Sequence, residues 1–204
     1  IYYALPIPAR WRFRIGQFRR RLNASASREL YIASSQSLSK INENEQPRTS
    51  IAPAHDNLRD YFFFGVIDWH FRHQRPQQLA LSLARTGRRV FYISVNFVDS
   101  SESGFTLEQL DASLSLYQVN LLVDGPLNVY SESPDHDQLS QLKYGLRDLW
   151  LAADAKFAVN IIQHPFWISI ASSIASARTV YDCMDHHGGF SNTAIEHEHL
   201  EKIL

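Results

Sequence analysis

Two short stretches hold most of the residues able to do chemistry. The first, "DWHFRHQRPQ" (68–77), packs two His, two Arg, an Asp and a Trp into a run that ends on Pro76 and Gln77. The second, "YDCMDHHGGF" (181–190), places two Asp and two His ahead of paired Gly. Guanidinium groups such as Arg72 and Arg75 fork onto phosphates or paired hydroxyls, and the amide of Gln74 can join them. A carboxylate such as Asp185 accepts from ligand hydroxyls or acts as a general base. The Trp69 ring can stack on an apolar ligand face. His164 and His186 are candidates for ligand contact, and Gly188 and Gly189 let backbone approach a ligand closely.

Each candidate has a structural alternative. Arg75 can pin its loop by pairing with Asp68 or Asp185, Asp185 can cap a turn, and Trp69 can cover the edge of the core. His164 can be a satisfied structural His, and Asp182 is expected to be structural. The "EHEHLE" run (196–201) lacks H-E-x-x-H spacing and reads as a solvated helix face rather than a metal site.

The elements that position these residues alternate. "YFFFGVID" (61–68) is a continuous apolar run, expected for a parallel strand covered on both faces. Pro76 suits the first turn of a helix, Leu79, Ala80, Leu83 and Ala84 repeat at helical spacing, and Gly87 closes it. "RVFYISV" (89–95) is the next strand. Residues 96–134 are less regular, with "SLSLYQVNLLV" (113–123) able to supply a strand. Leu139, Leu142, Leu146 and Leu149 mark a long helix ending near Asp154. "KFAVNII" (156–162) and "RTVYDCM" (178–184) read as strands, "PFWISIASSIASA" (165–177) and "SNTAIEHEHLEKIL" (191–204) as helices. Such alternation predicts an α/β fold: a doubly wound, Rossmann-like parallel sheet with helices on both faces. Its ligands bind past the carboxyl ends of the strands, which deliver Asp68 to Arg75, Asn96, Gln163 and His164, and Asp182 to Gly189.

The whole chain sets the class. With 204 residues, 45% hydrophobic and 20% charged, it can bury a sizeable core. A formal net charge of -1 argues against a general nucleic-acid partner. A single Cys, Cys183, excludes an internal disulfide framework and fits a cytoplasmic location. Six Arg (10, 12, 14, 19, 20 and 21) and no acid stand in residues 1–21, which read as a basic segment (1–22) docked on a neighbour or touching anionic lipid. Residues 23–58 are polar and read as a linker, so the compact domain spans 59–204. The start at Ile and the lone Met184 suggest a piece of a longer protein. No G-x-G-x-x-G follows the first strand, and neither a P-loop nor a G-x-S-x-G elbow occurs.

The two stretches together resemble the amino-terminal half of a GT-B-fold glycosyltransferase of the glycosyltransferase-4-like kind. Trp69, Gln74, Arg75, Pro76, Gln77, Gly87, Val90 and Tyr92 match one motif, and Tyr181, Asp182, Met184, Asp185 and Phe190 a later one. His186 and His187 depart from the commoner acidic or small residues. The resemblance implies a bacterial enzyme of polysaccharide or cell-envelope synthesis that moves a sugar from a nucleotide sugar to a sugar or lipid-linked glycan. It implies no cofactor beyond that donor substrate, which is bound mainly by a carboxyl-terminal domain of the same chain. This half alone is expected to be inactive, and to work in the cytoplasm or at the inner face of the membrane. A non-catalytic binding module of the same fold is the alternative. A receiver-like domain fits poorly, because His and Arg surround Asp68 and no Lys follows Met184 before Lys202.

Overall fold

The computed structural model describes residues 50–55, 58–175 and 177–184. In chain order these form β1 (Asp60–Phe64), α1 (Arg75–Arg85), β2 (Val90–Ile93), β3 (Val98–Asp99), β4 (Phe105–Gln109) and β5 (Leu116–Val123). They continue with α2 (His136–Ala152), β6 (Ala158–Ile162), a 3-10 turn (Pro165–Trp167), α3 (Ile168–Ala171) and β7 (Ala177–Tyr181).

The protein is α/β, with a mostly parallel seven-stranded sheet. Five parallel strands lie in the order β5-β2-β1-β6-β7. The chain therefore builds outward in one direction from β1 through β2 to β5, then returns to lay β6 on the other side of β1. Strand order reverses between β1 and β6. Beyond β5 lies β4, the one antiparallel strand, paired from Phe105 opposite Leu121 to Gln109 opposite Tyr117. Short β3 continues the line of β2 along the far end of β5.

Alternation along β1 explains both layers. Phe62 and Phe64 face a core shared with Leu142, Leu146 and Leu149 of α2 and Ile170 of α3. Phe63 faces the other way, onto Ala80 and Ala84 of α1 with Tyr92 and Leu116. Helices thus cover both faces. At the amino end of the sheet the buried Arg89 grips Asp60 through two hydrogen bonds of 2.8 and 2.6 Å. Its Nη1 also donates to the carbonyls of Ala52 and Ala153, which docks residues 50–55 on the domain.

Three expectations need correction. The strand expected over 61–68 ends at Phe64, with one more ladder bond from Gly65 N to Ile93 O; Gly65 lies against the Tyr92 ring, where a Cβ would sit 2.9 Å from Cε1 and Oη. The helix expected over 165–177 is a 3-10 turn followed by only four α-helical residues. Ser173 Oγ turns back to the Ile170 carbonyl, a local competition that ends helices, and Ala177 must already be extended to pair with Ala158. The sheet is not wholly parallel, because Phe105 and Leu107 alternate with Thr106 and Glu108 to form the β4 edge.

Candidate functional site

One row of residues past the strand ends forms the floor of the site. The parallel ladder runs one step beyond β1, β2, β6 and β7: Gly65 N bonds to Ile93 O, Gln163 N to Phe64 O, and Asp182 N to Ile162 O. Ser94, Gly65, Gln163 and Asp182 therefore stand side by side. By alternation they share the face covered by α1, with Arg75 at the start of that helix. Arg75 Nη2 donates to Asp182 Oδ1 at 2.6 Å, and Gln163 Nε2 donates to Asp182 Oδ2 at 3.2 Å. This trio sits beside the reversal in strand order, where open parallel sheets bind ligands. A guanidinium at a helix start opposes the macrodipole, and Asp182 offsets that.

The loop from Gly65 to Gln74 is held from several sides. Asp68 Oδ2 accepts from Ser94 Oγ at 3.0 Å and Asn96 Nδ2 at 2.8 Å, while Oδ1 accepts from the His70 amide at 2.9 Å. Gln77 is fully buried and makes three loop contacts. Its Nε2 donates to the carbonyls of Arg72 at 2.6 Å and Asp68 at 3.3 Å, and its Oε1 accepts from the Gln74 amide at 3.0 Å. Tyr92 Oη donates to Ile67 O, Tyr130 Oη to Val66 O and Trp167 Nε1 to Gly65 O. His70 meets Glu108 of β4 at 3.1 Å. Burial first, and then the Asp68 charge, push the Tyr92 phenol far above its usual range.

The expected site residues meet four fates. Arg75 pairs with Asp182, the residue expected to be structural, with Gln163 beside it; this is the loop-pinning alternative for Arg75, with Asp182 rather than Asp68 as the partner. Trp69 packs edge-on to Tyr92 at 5.2 Å and joins the α1-side core. His164 is buried rather than open to the crevice; its Nδ1 accepts from the Phe166 amide and begins the 3-10 turn. Gln74 precedes α1, and its amide is the group held by Gln77. Arg72 is exposed, its guanidinium over the Phe71 ring. Asp185, His186, Gly188 and Gly189 lie outside the described residues, as does the 191–204 segment.

Sequence reasoning missed Gln77 as the loop anchor and Gln163 as the buried amide of the site. The first carried a signal, since Gln three residues past an N-cap is a capping-box residue. A separate groove of about 340 Å³, lined by Lys143, Tyr144, Arg147, Trp150, Ser173 and Ile174, lies on the α2 side of the sheet, away from this chemistry. Among the described residues no cluster of His, Cys, Asp or Glu is placed to hold a metal ion, and no helix is long and apolar enough to cross a membrane. No family model, curated protein or solved structure matches this chain.

Proposed function

We propose that this chain is the acceptor-binding half of a GT-B-fold glycosyltransferase. In this reading it is a Rossmann-like domain that holds a sugar or lipid-linked glycan, while a carboxyl-terminal domain of the same polypeptide presents the nucleotide sugar. The observation that carries the proposal is the Arg75–Asp182 pair. It joins the two motifs that bear the family likeness, Gln74–Gln77 and Tyr181–Asp185, at the place in the sheet where a ligand belongs. The strand order β5-β2-β1-β6-β7 supports the Rossmann-like assignment.

Transfer joins an acceptor hydroxyl oxygen to the sugar's anomeric carbon, as the bond from that carbon to the nucleotide phosphate breaks. The hydroxyl proton passes to a carboxylate, a role we assign to Asp185. Arg75 uses guanidinium donors beyond the one on Asp182 to orient acceptor hydroxyls or phosphates. The work is placed in the cytoplasm or at the inner membrane face, with the basic residues 1–22 available for anionic lipid.

A second reading, a non-catalytic docking module, draws on the engagement of Trp69 and His164 in packing. The test is nucleotide release by the full-length parent protein from UDP-, GDP- and dTDP-sugars, with and without glycan acceptors. Release from one donor that falls in folded Arg75→Ala and Asp185→Ala variants is the expected result. No release from any donor favours the docking module.

A further inference from the structure

Gln163 is completely buried, yet its Oε1 has no hydrogen-bond donor among the described residues. Its orientation is fixed by its neighbour. With Nε2 on Asp182 Oδ2, turning the amide over would set its oxygen against a carboxylate oxygen. Asp182 in turn is held by Arg75, whose side chain is 55% exposed against 13% for Asp182. A hydrogen-bonded chain therefore runs from solvent at Arg75, through Asp182, to a buried acceptor that still wants a proton donor.

We propose that Gln163 Oε1 recognises a hydroxyl of a neutral, polyhydroxylated ligand, and that the Arg75–Asp182 pair is a latch that parts to admit it. The inference rests on the reading of this crevice as a sugar-binding site and adds which group is read there. Charge and donor count favour a hydroxyl over the charged ligand classes. A phosphate-ester dianion brings acceptors only, so it cannot satisfy an amide oxygen. An ammonium brings donors, but the Arg75 guanidinium repels it. A hydroxyl donates to Gln163 and can accept from the freed Arg75. The moving part is the Arg75 side chain, because Asp68, Gln77, Tyr92 and Tyr130 all hold the loop that precedes it.

The test is an NMR titration of the ¹⁵N-labelled chain, following the Gln163 side-chain amide, which is identified by its loss in Gln163→Met. Methyl glycosides of glucose, galactose and mannose are the neutral probes, and methyl phosphate held as its dianion, which has no hydroxyl, is the anionic one. Each is added at about 0.1 M and about 1 M salt, which cuts the screening length from about 10 Å to about 3 Å. The expected result is a saturable shift of the Gln163 amide with at least one glycoside, tightening about two-fold or more at high salt because the latch is weakened. Asp182→Asn should tighten the same binding about three-fold at low salt, since it removes the charge from the pair. Shifts at Arg75 and Asp182 without one at Gln163, or binding unchanged by both salt and Asp182→Asn, overturn this inference and leave the crevice reading standing. Phosphate binding alone overturns the hydroxyl assignment. Absence of any saturable shift overturns the inference together with the sugar-binding reading.

Discussion

Arg75 Nη2 stands 2.6 Å from Asp182 Oδ1, so the first residue of α1 is tied to the first residue past β7, 107 positions further along the chain. The tie crosses β1 and β6, the strands between which the sheet reverses its order. It also turns one oxygen of Asp182 toward Arg75 and the other toward Gln163.

Arg75→Ala should separate function from folding. Its side chain is more than half exposed, so the pair contributes at most about 1 kcal/mol to stability. Under the proposed function, a charge-assisted bond to ligand is worth about 1.5–3 kcal/mol, which predicts a loss of transfer of about 10- to 100-fold in a polypeptide that also carries the proposed donor-binding domain. Urea denaturation beside the transfer assay checks both figures. A loss of stability well above 2 kcal/mol would make the pair chiefly structural.

Gln77→Leu should do the reverse and damage the fold first. The substitution strands the Arg72 carbonyl and the Gln74 amide, partners in bonds of 2.6 and 3.0 Å. Both bonds are part-buried, so water can take up some of the loss, and each is worth about 0.5–1.5 kcal/mol. A drop of about 1–3 kcal/mol in urea unfolding is expected, with faster amide exchange at residues 70–74.

Much of the architecture was legible because the signals were local. β1, α1, β2, α2, β6 and β7 each announced themselves by an apolar run or by helical repetition, and their alternation implied the parallel sheet. Elements decided by distant partners were harder to read. β4 has only five residues, and its place depends on β5, whose eight buried residues can pair on both sides. α3 looked long because "ISIASSIASA" is built only of Ile, Ala and Ser, with no Gly or Pro to stop a helix, whereas β6 dictates an extended chain from Ala177. The site was legible as a list of residue types but not as a set of contacts. Nothing local to Arg75 says that Asp182 is its partner, and nothing local to Gln163 says that its oxygen is buried without a donor among the described residues.

Gly145→Ala should be poorly tolerated despite the high helix propensity of Ala. A Cβ at Gly145 would lie 2.4 Å from the backbone oxygen of Gly104. Gly104 has φ 149°, a conformation that side-chain-bearing residues rarely adopt, so the loop cannot easily shift. Overpacking of this kind costs about 1–3 kcal/mol. A thermal melt that shows a stability equal to or above the native chain would refute the close approach.

The buried phenol of Tyr92 predicts a stability loss at alkaline pH. Burial and the charge of Asp68 raise its pKa above the unfolded value of 10.0, so the folded state keeps a proton that the unfolded state gives up. Its stabilising contribution is complete below pH 10 and declines as pH rises beyond it, by about 1.4 kcal/mol per pH unit. Tyr92→Phe should lose the bond to Ile67 O at neutral pH but show a shallower decline above pH 10. Urea midpoints between pH 8 and 11 measure both slopes, and identical slopes would contradict the burial of the hydroxyl.

Arg89→Met tests the opposite end of the sheet from the site. Arg89 is 2% exposed and Asp60 5%, so neither charge can be hydrated once its partner is gone. Removing the guanidinium leaves the Asp60 carboxylate buried alone and frees the carbonyls of Ala52 and Ala153. Breaking a buried pair from one side typically costs about 3–5 kcal/mol, whereas replacing both partners with apolar groups can be nearly neutral. Arg89→Met should therefore be strongly destabilised, and Asp60→Leu combined with Arg89→Met should recover part of the loss. The single variant should also expose residues 50–55 to proteolysis, because Arg89 holds the Ala52 carbonyl against the domain. If the single variant unfolds at the native urea concentration, the buried pair does not anchor the amino end of the sheet.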